Sequence, residues 1–159
     1  MSLYKNRYRI ESARLNNWDY SSKGYYFITI CTKNRKHFFG NIKNGEMKLS
    51  KIGKIVLQYW QEIPNHFPFV KLDEFIFMPD HMHAIIIIGD HAMKIPTLGI
   101  IISQYKRKCT IVSRKIDPTF GWLPRFHDHI IRNNGAFNRI RDYIQNNPLN
   151  WKKGNLHTG

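Results

Sequence analysis

The sequence predicts an α+β fold: a ferredoxin-like antiparallel sheet with helices on one face, an N-terminal β-hairpin insertion and a C-terminal helix that carries a tyrosine. Three observations lead there. Segments rich in β-branched and aromatic residues alternate with amphipathic segments of helical period, in the order strand, helix, strand, strand, helix, strand, helix. The two middle strands are separated only by Pro79-Asp80, which makes them an antiparallel pair. Asn44-Gly45, the strongest short hairpin signal, sits between two further short strand-like runs.

The elements follow in order. Residues 1–24 form a basic arm in which Tyr4, Tyr8, Trp18 and Tyr20 interleave with Arg7, Arg9 and Arg14. Rings among cations suit single-stranded nucleic acid, because bases stack on rings while cations meet phosphates. An ordinary extension packing its rings on the domain has the same composition. Residues 25–32 read as a strand, and 38–42 with 46–49 as the hairpin. Ser50 caps a helix over 51–63, with Ile52, Ile55, Val56, Tyr59, Trp60 and Ile63 on one stripe and Pro64 ending it. Strands follow over 70–78 and 82–88. Pro96-Thr97 opens a helix whose Leu98, Ile101, Ile102, Tyr105, Cys109 and Val112 share a face, while Lys106, Arg107, Lys108, Arg114 and Lys115 lie on the other side. The near-uniform sign of that second face suits phosphates better than a plain solvated surface. Residues 120–131 read as an extended segment or last strand, with His127 and His129 on one face as a DNA-facing or structural pair. Asn133 or Asn134 caps the closing helix, which turns Phe137, Ile140 and Ile144 inward and ends before Pro148. One domain over 25–151 is expected, with a tail at 152–159.

Twenty-five Lys and Arg against eleven Asp and Glu give a net charge of +14, so the expected partner is a polyanion, with nucleic acid the default. No apolar run approaches the ~18 residues of a spanning helix, and the N-terminus has no apolar signal core, so no membrane partner and a cytoplasmic location are expected. Cys31 and Cys109 are too few and too far apart for a zinc or disulfide framework, and read as reduced core residues.

The chemistry gathers in the stretch from Phe75 to Ile88. In a strand, side chains alternate between faces, so His81 and His83 point the same way and Met82 points the other. Two imidazoles side by side on a rigid floor make a ready pair of metal ligands. Alternatively, His81 caps the loop and His83 satisfies a buried carbonyl, with no metal involved.

Neighbouring motifs extend the pattern. His81-Met82-His83 resembles the His-hydrophobic-His motif of the HUH nuclease and transposase superfamily. Asp19-Tyr20-Ser21 with residues 24–32, Asn34-Arg35 and Phe39-Gly40 is similar to the start of a single-tyrosine transposase, in particular the REP-associated tyrosine transposases. Met78-Pro79-Asp80-His81-Met82-His83 resembles their central motif, in which Asn often replaces Asp80. Leu98-Gly99 with Tyr105-Lys106, then residues 126–132 and 143–151, resemble the later blocks, so the match spans nearly the whole chain in order.

The resemblance implies a fold, an activity and a site. Tyr143 matches the nucleophile, which would leave a 5′-phosphotyrosine link and free a 3′-hydroxyl. His81 and His83 would hold Mg²⁺ or Mn²⁺ against the scissile phosphate, and Asn147, one turn after Tyr143, matches a third ligand. Pro148 disfavours helical geometry at Asn147. Among eight tyrosines Tyr105 is the rival; it fits the apolar stripe of its helix, whereas Tyr143 lies just off its own. The implied function is metal-dependent nicking and joining of single-stranded, hairpin-forming DNA. A homodimer sharing tyrosine helices and a monomer acting in cis are both open. The residues also permit a non-catalytic hairpin-DNA binder, or a phosphoester hydrolase that uses the histidines as general acid and base.

Overall fold

The computed structural model describes residues 24–89 and 97–150, with the backbone alone for 148–150. The arm with Arg7, Arg9 and Arg14, Pro96, and the tail lie outside the described residues. Strand β1 (Gly24–Cys31) leads through a 3₁₀ turn (Lys33–Arg35) to a hairpin of β2 (Gly40–Lys43) and β3 (Glu46–Leu49). Helices α1 (Lys51–Gln61) and α2 (Ile63–His66) precede β4 (Val70–Met78) and β5 (His81–Ile88). Helix α3 (Leu98–Ser113), β6 (His127–Ile131) and α4 (Asn134–Asn150) complete the described residues.

The main sheet has the order β4-β5-β1-β6, and β1 is antiparallel to both of its neighbours. This is the expected ferredoxin-like antiparallel sheet, with the hairpin beside it as a separate two-stranded sheet. In the hairpin, Asn44 and Gly45 both have positive φ, 52° and 77°, as a type I′ turn requires.

Alternation divides the sheet into two faces. Tyr26, Ile28 and Ile30 of β1 and Met82, Ala84, Ile86 and Ile88 of β5 pack with Trp60, Leu98, Ile101, Ile102 and Cys109 in the larger core. Helices α1 and α3 therefore share one face, as expected. The tyrosine-bearing helix α4 covers the other, through Phe27, Ile85, Ile131, Ile140 and Ile144. Arg141 of α4 also pairs with Asp73 and Glu74 at 3.1 and 3.4 Å, where the β4–β5 register shifts between Leu72 and Phe75.

Several boundaries differ from expectation. Pro64 does not end the first helix. That helix stops at Gln61, and Pro64 falls in the first turn of α2, where its missing N–H has no helical partner to lose. The closing helix does not end before Pro148 but runs to Asn150, although a proline there removes one backbone bond. Asn133 is its cap, with its Oδ1 accepting from the Ala136 N–H at 2.8 Å. Only Cys109 is a core cysteine; Cys31 is half-buried, paired across the strands with His81 and hence on the other face. Among the described residues no helix is long and apolar enough to cross a membrane.

Candidate active site

His81 and His83 stand on the α4 face of β5, as alternation requires, with ring centroids 4.7 Å apart. Both are buried, which is unusual for imidazoles and calls for partners. The two Nδ1 atoms have them. His83 Nδ1 lies 2.8 Å from Thr29 Oγ1, its cross-strand neighbour on β1. His81 Nδ1 lies 2.7 Å from Asp80 Oδ1. Phe27 stacks on His83 at 5.4 Å with an interplanar angle of 20°.

Helix α4 brings Tyr143 over the pair. Its hydroxyl lies 3.5 Å from His83 Nε2, and the rings are 5.3 Å apart. The apolar anchors Ile140 and Ile144 flank it, so the helix phase that buries them holds Tyr143 at the border, 37% exposed. Asn147, four residues on, shares this face and is buried in regular helix, despite Pro148.

The electrostatics follow from burial. For His81, burial is the largest influence and pushes the pKa below 6.5; the bond to Asp80 opposes this, and nearby Arg35 adds to it. Burial would raise Asp80, but the His81 hydrogen bond and the charges of His81 and Arg35 outweigh it and hold the carboxyl below its ordinary value. The pair is thus a carboxylate accepting from a neutral imidazole at neutral pH. Burial pushes the Tyr143 phenol up, and the Asn147 amide offsets part of that rise.

Tyr105, the rival tyrosine, lies in the larger core on the opposite face, 4% exposed. Its hydroxyl donates to the Val56 carbonyl at 2.7 Å, and burial pushes its pKa well above 10. Such a group meets no phosphate.

The residues expected to bind DNA are scattered. His127 is exposed on the same sheet face as His83, in register with it through Thr29. His129 shares that face but is buried. Lys106 is spent on structure, its Nζ donating to the Leu123 and Arg125 carbonyls at 3.1 and 3.0 Å. Arg107 and Lys108 are exposed on α3, across the sheet from the histidines. Lys108 sits over the Tyr59 ring, 3.9 Å from Glu62.

Sequence reasoning missed Thr29, whose role depends on β1–β5 register, and gave Asp80 and Arg35 no task beyond membership of motifs. Arg35 reaches Asp80 Oδ2 at 3.2 Å from a turn in which Asn34 and Arg35 both have left-handed φ, 56° and 54°. For residues with a Cβ that conformation costs roughly 1–2 kcal/mol each.

Among the described residues no three His, Cys, Asp or Glu side chains form a metal cluster. Two imidazoles and an amide could still hold a divalent cation, as a weak site for Mg²⁺ because only one of the three donors is an oxygen. With both Nδ1 atoms engaged, Nε2 is the ring nitrogen each histidine could offer a cation, and Asn147, one helical turn beyond Tyr143, could add an amide oxygen.

No family model matches the chain. It is 38% identical over 165 residues to an uncharacterized protein of Haemophilus influenzae, covering 92% of both chains. Two solved structures share the fold. One is the REP-associated tyrosine transposase bound to a REP hairpin, with a TM-score of 0.63 and 19% identity over 80% of this chain and 68% of that one. The other is a candidate transposase from Deinococcus radiodurans, with a TM-score of 0.52 and 15% identity over 78% of this chain and 90% of that one.

Proposed function

Since the chain belongs to one family with the Haemophilus influenzae protein and has the fold of the REP-associated tyrosine transposase, we propose that it nicks and rejoins single-stranded, hairpin-forming DNA through Tyr143. The observation that carries this reading is the 3.5 Å approach of the Tyr143 hydroxyl to His83 Nε2, beside a second buried histidine.

The chemistry is a transesterification. The Tyr143 oxygen forms a bond to the scissile phosphorus as the bond to the 3′-oxygen breaks. The phenolic proton is lost, and the departing 3′-oxygen takes one up. The product is a 5′-phosphotyrosine link with the bond energy retained, so a 3′-hydroxyl can reverse the step without ATP. A phenol pushed up by burial is a poor nucleophile, so its target needs activation. Mg²⁺ or Mn²⁺ on His81, His83 and the Asn147 amide would supply that by polarising the phosphate. The protein's own part is to fix the ring nitrogens, steady the His83 ring under the stacked Phe27 and aim the hydroxyl. Tyr143 lies against His83 of its own chain, the arrangement that a tyrosine acting in cis requires. The surplus of positive charge would hold the DNA strand, with exposed His127 on the floor near the pair.

One assay tests the reading. Incubation with a labelled single-stranded hairpin and Mn²⁺, resolved on a denaturing gel, should give a covalently shifted band. Cleavage without that band would point to a hydrolase, and retention without cleavage to a binding protein.

A further inference from the structure

Both carboxylate oxygens of one buried residue and an arginine of one turn, held at positive φ, converge beside His81. The turn is fastened to the Pro79-Asp80 corner by the chain itself. Thr32 N–H donates to the Asp80 carbonyl at 2.9 Å, Thr32 Oγ1 lies 3.1 Å from the same oxygen, and Phe39 N–H donates to the Pro79 carbonyl at 3.0 Å. Arg35 is thereby held in its left-handed conformation with Nε 3.2 Å from Asp80 Oδ2, while Oδ1 lies 2.7 Å from His81 Nδ1. Backbone strain that the surroundings enforce is a mark of a functional position.

A carboxylate oxygen and a bare ring nitrogen are both acceptors, and at 2.7 Å they would repel unless a proton lay between them. The carboxylate is kept charged by Arg35, so the proton belongs to Nδ1. The Arg35 Nη2 contact to the same nitrogen, at 3.4 Å, is then proximity and not donation. Both Asp80 oxygens are occupied, so Asp80 is not itself available to a cation.

We infer that Asp80, clamped by Arg35, is a positioning residue that fixes His81 as the Nδ1–H tautomer and leaves Nε2 as its lone-pair nitrogen. Thr29 plays the corresponding part for His83, accepting at Nδ1 from 2.8 Å away. Unconstrained imidazole prefers the opposite tautomer, with the proton on Nε2, which would block both ring nitrogens that face ligand. That the lone pair serves a divalent cation rests on the function proposed above; that Asp80 sets the tautomer does not.

The test is long-range ¹H–¹⁵N correlation of the ring nitrogens at about pH 8, where imidazoles are neutral, with Mn²⁺ titration alongside. Wild-type His81 should read as Nδ1–H. Asp80→Ala should convert it to Nε2–H and weaken Mn²⁺ by about ten- to a hundredfold. Asp80→Asn, whose amide oxygen still accepts, should keep the tautomer, and it provides a folded comparison should the alanine variant fail to fold. His81 reading as Nε2–H in the wild type, or as Nδ1–H in Asp80→Ala, overturns the inference. If the tautomers behave as stated but the wild type neither binds Mn²⁺ nor forms an adduct, the positioning role stands and the proposed reaction falls.

Discussion

Tyr143 and His83 meet across the sheet face with hydroxyl and ring nitrogen 3.5 Å apart, although sixty positions separate them in the chain. Tyr105, which the chain also places on a helix beside a lysine, donates instead to a core carbonyl. The two tyrosines therefore respond oppositely to the same substitution. Tyr143→Phe should abolish the covalent adduct, leave hairpin affinity within a few-fold, and change stability by less than about 1 kcal/mol. Tyr105→Phe should keep the adduct but destabilise by about 1–2 kcal/mol, because the Val56 carbonyl loses its donor. Denaturant melts and adduct gels on both variants check this; an adduct from Tyr143→Phe would refute the assignment.

His81→Ala and His83→Ala should each remove Mn²⁺ binding measured by calorimetry, and each should stop cleavage while Tyr143 remains. Asn147→Ala should weaken the ion less, as it supplies a neutral amide. Equal Mn²⁺ affinity in the wild type and the histidine variants would dismiss the metal site.

Metal affinity should also depend on pH in a defined direction. Burial, with Arg35 adding to it against the Asp80 bond, sets the His81 pKa below 6.5, so protons compete for the ring only below that value. Proton competition at His81 should therefore be absent near neutral pH and should weaken Mn²⁺ only as the pH drops below about 6.5. A His81 ring that still gains its proton between about pH 8 and pH 7, read by ¹⁵N NMR, would contradict the burial argument.

DNA affinity should fall by orders of magnitude between roughly 50 and 200 mM salt if several phosphates are neutralised. Within the basic helix the effects should separate. Arg107→Ala and Lys108→Ala should shallow the salt slope if α3 touches DNA. Lys106→Ala should instead lower stability, since its ammonium holds the Leu123 and Arg125 carbonyls. An unchanged slope in Arg107→Ala and Lys108→Ala would move the contact surface to the histidine face.

Much of this was open to reading in the chain. Period-2 alternation alone puts His81 and His83 on one face and Met82 in the core, and Asn44-Gly45 specifies its hairpin locally. What the sequence hides is long-range register. Thr29 becomes the partner of His83, and His127 joins the same floor, only because β1 pairs with β5 and β6 at particular offsets. The Lys106 example is similar: a cation in a basic run looks like a phosphate ligand until a loop seventeen residues on is found to need it. Pro148 is a local signal for a helix end, yet the helix continues through it to Asn150.

The unequal apolar clusters on the two sheet faces carry a further consequence. Helix α4 rests on a patch whose buried members are Phe27, Ile85, Ile131, Ile140 and Ile144, plus the Arg141 ion pairs, whereas α1 and α3 share the main core. The fold thus has two cooperative units of different depth. Backbone amides of α4 should exchange with deuterium through a shallow, partial opening, while those of β1 and β5 wait for global unfolding. Tyr143 rides on the thinner cluster and the histidines on the thicker one, so the hydroxyl is expected to lift away and return without the sheet losing its order.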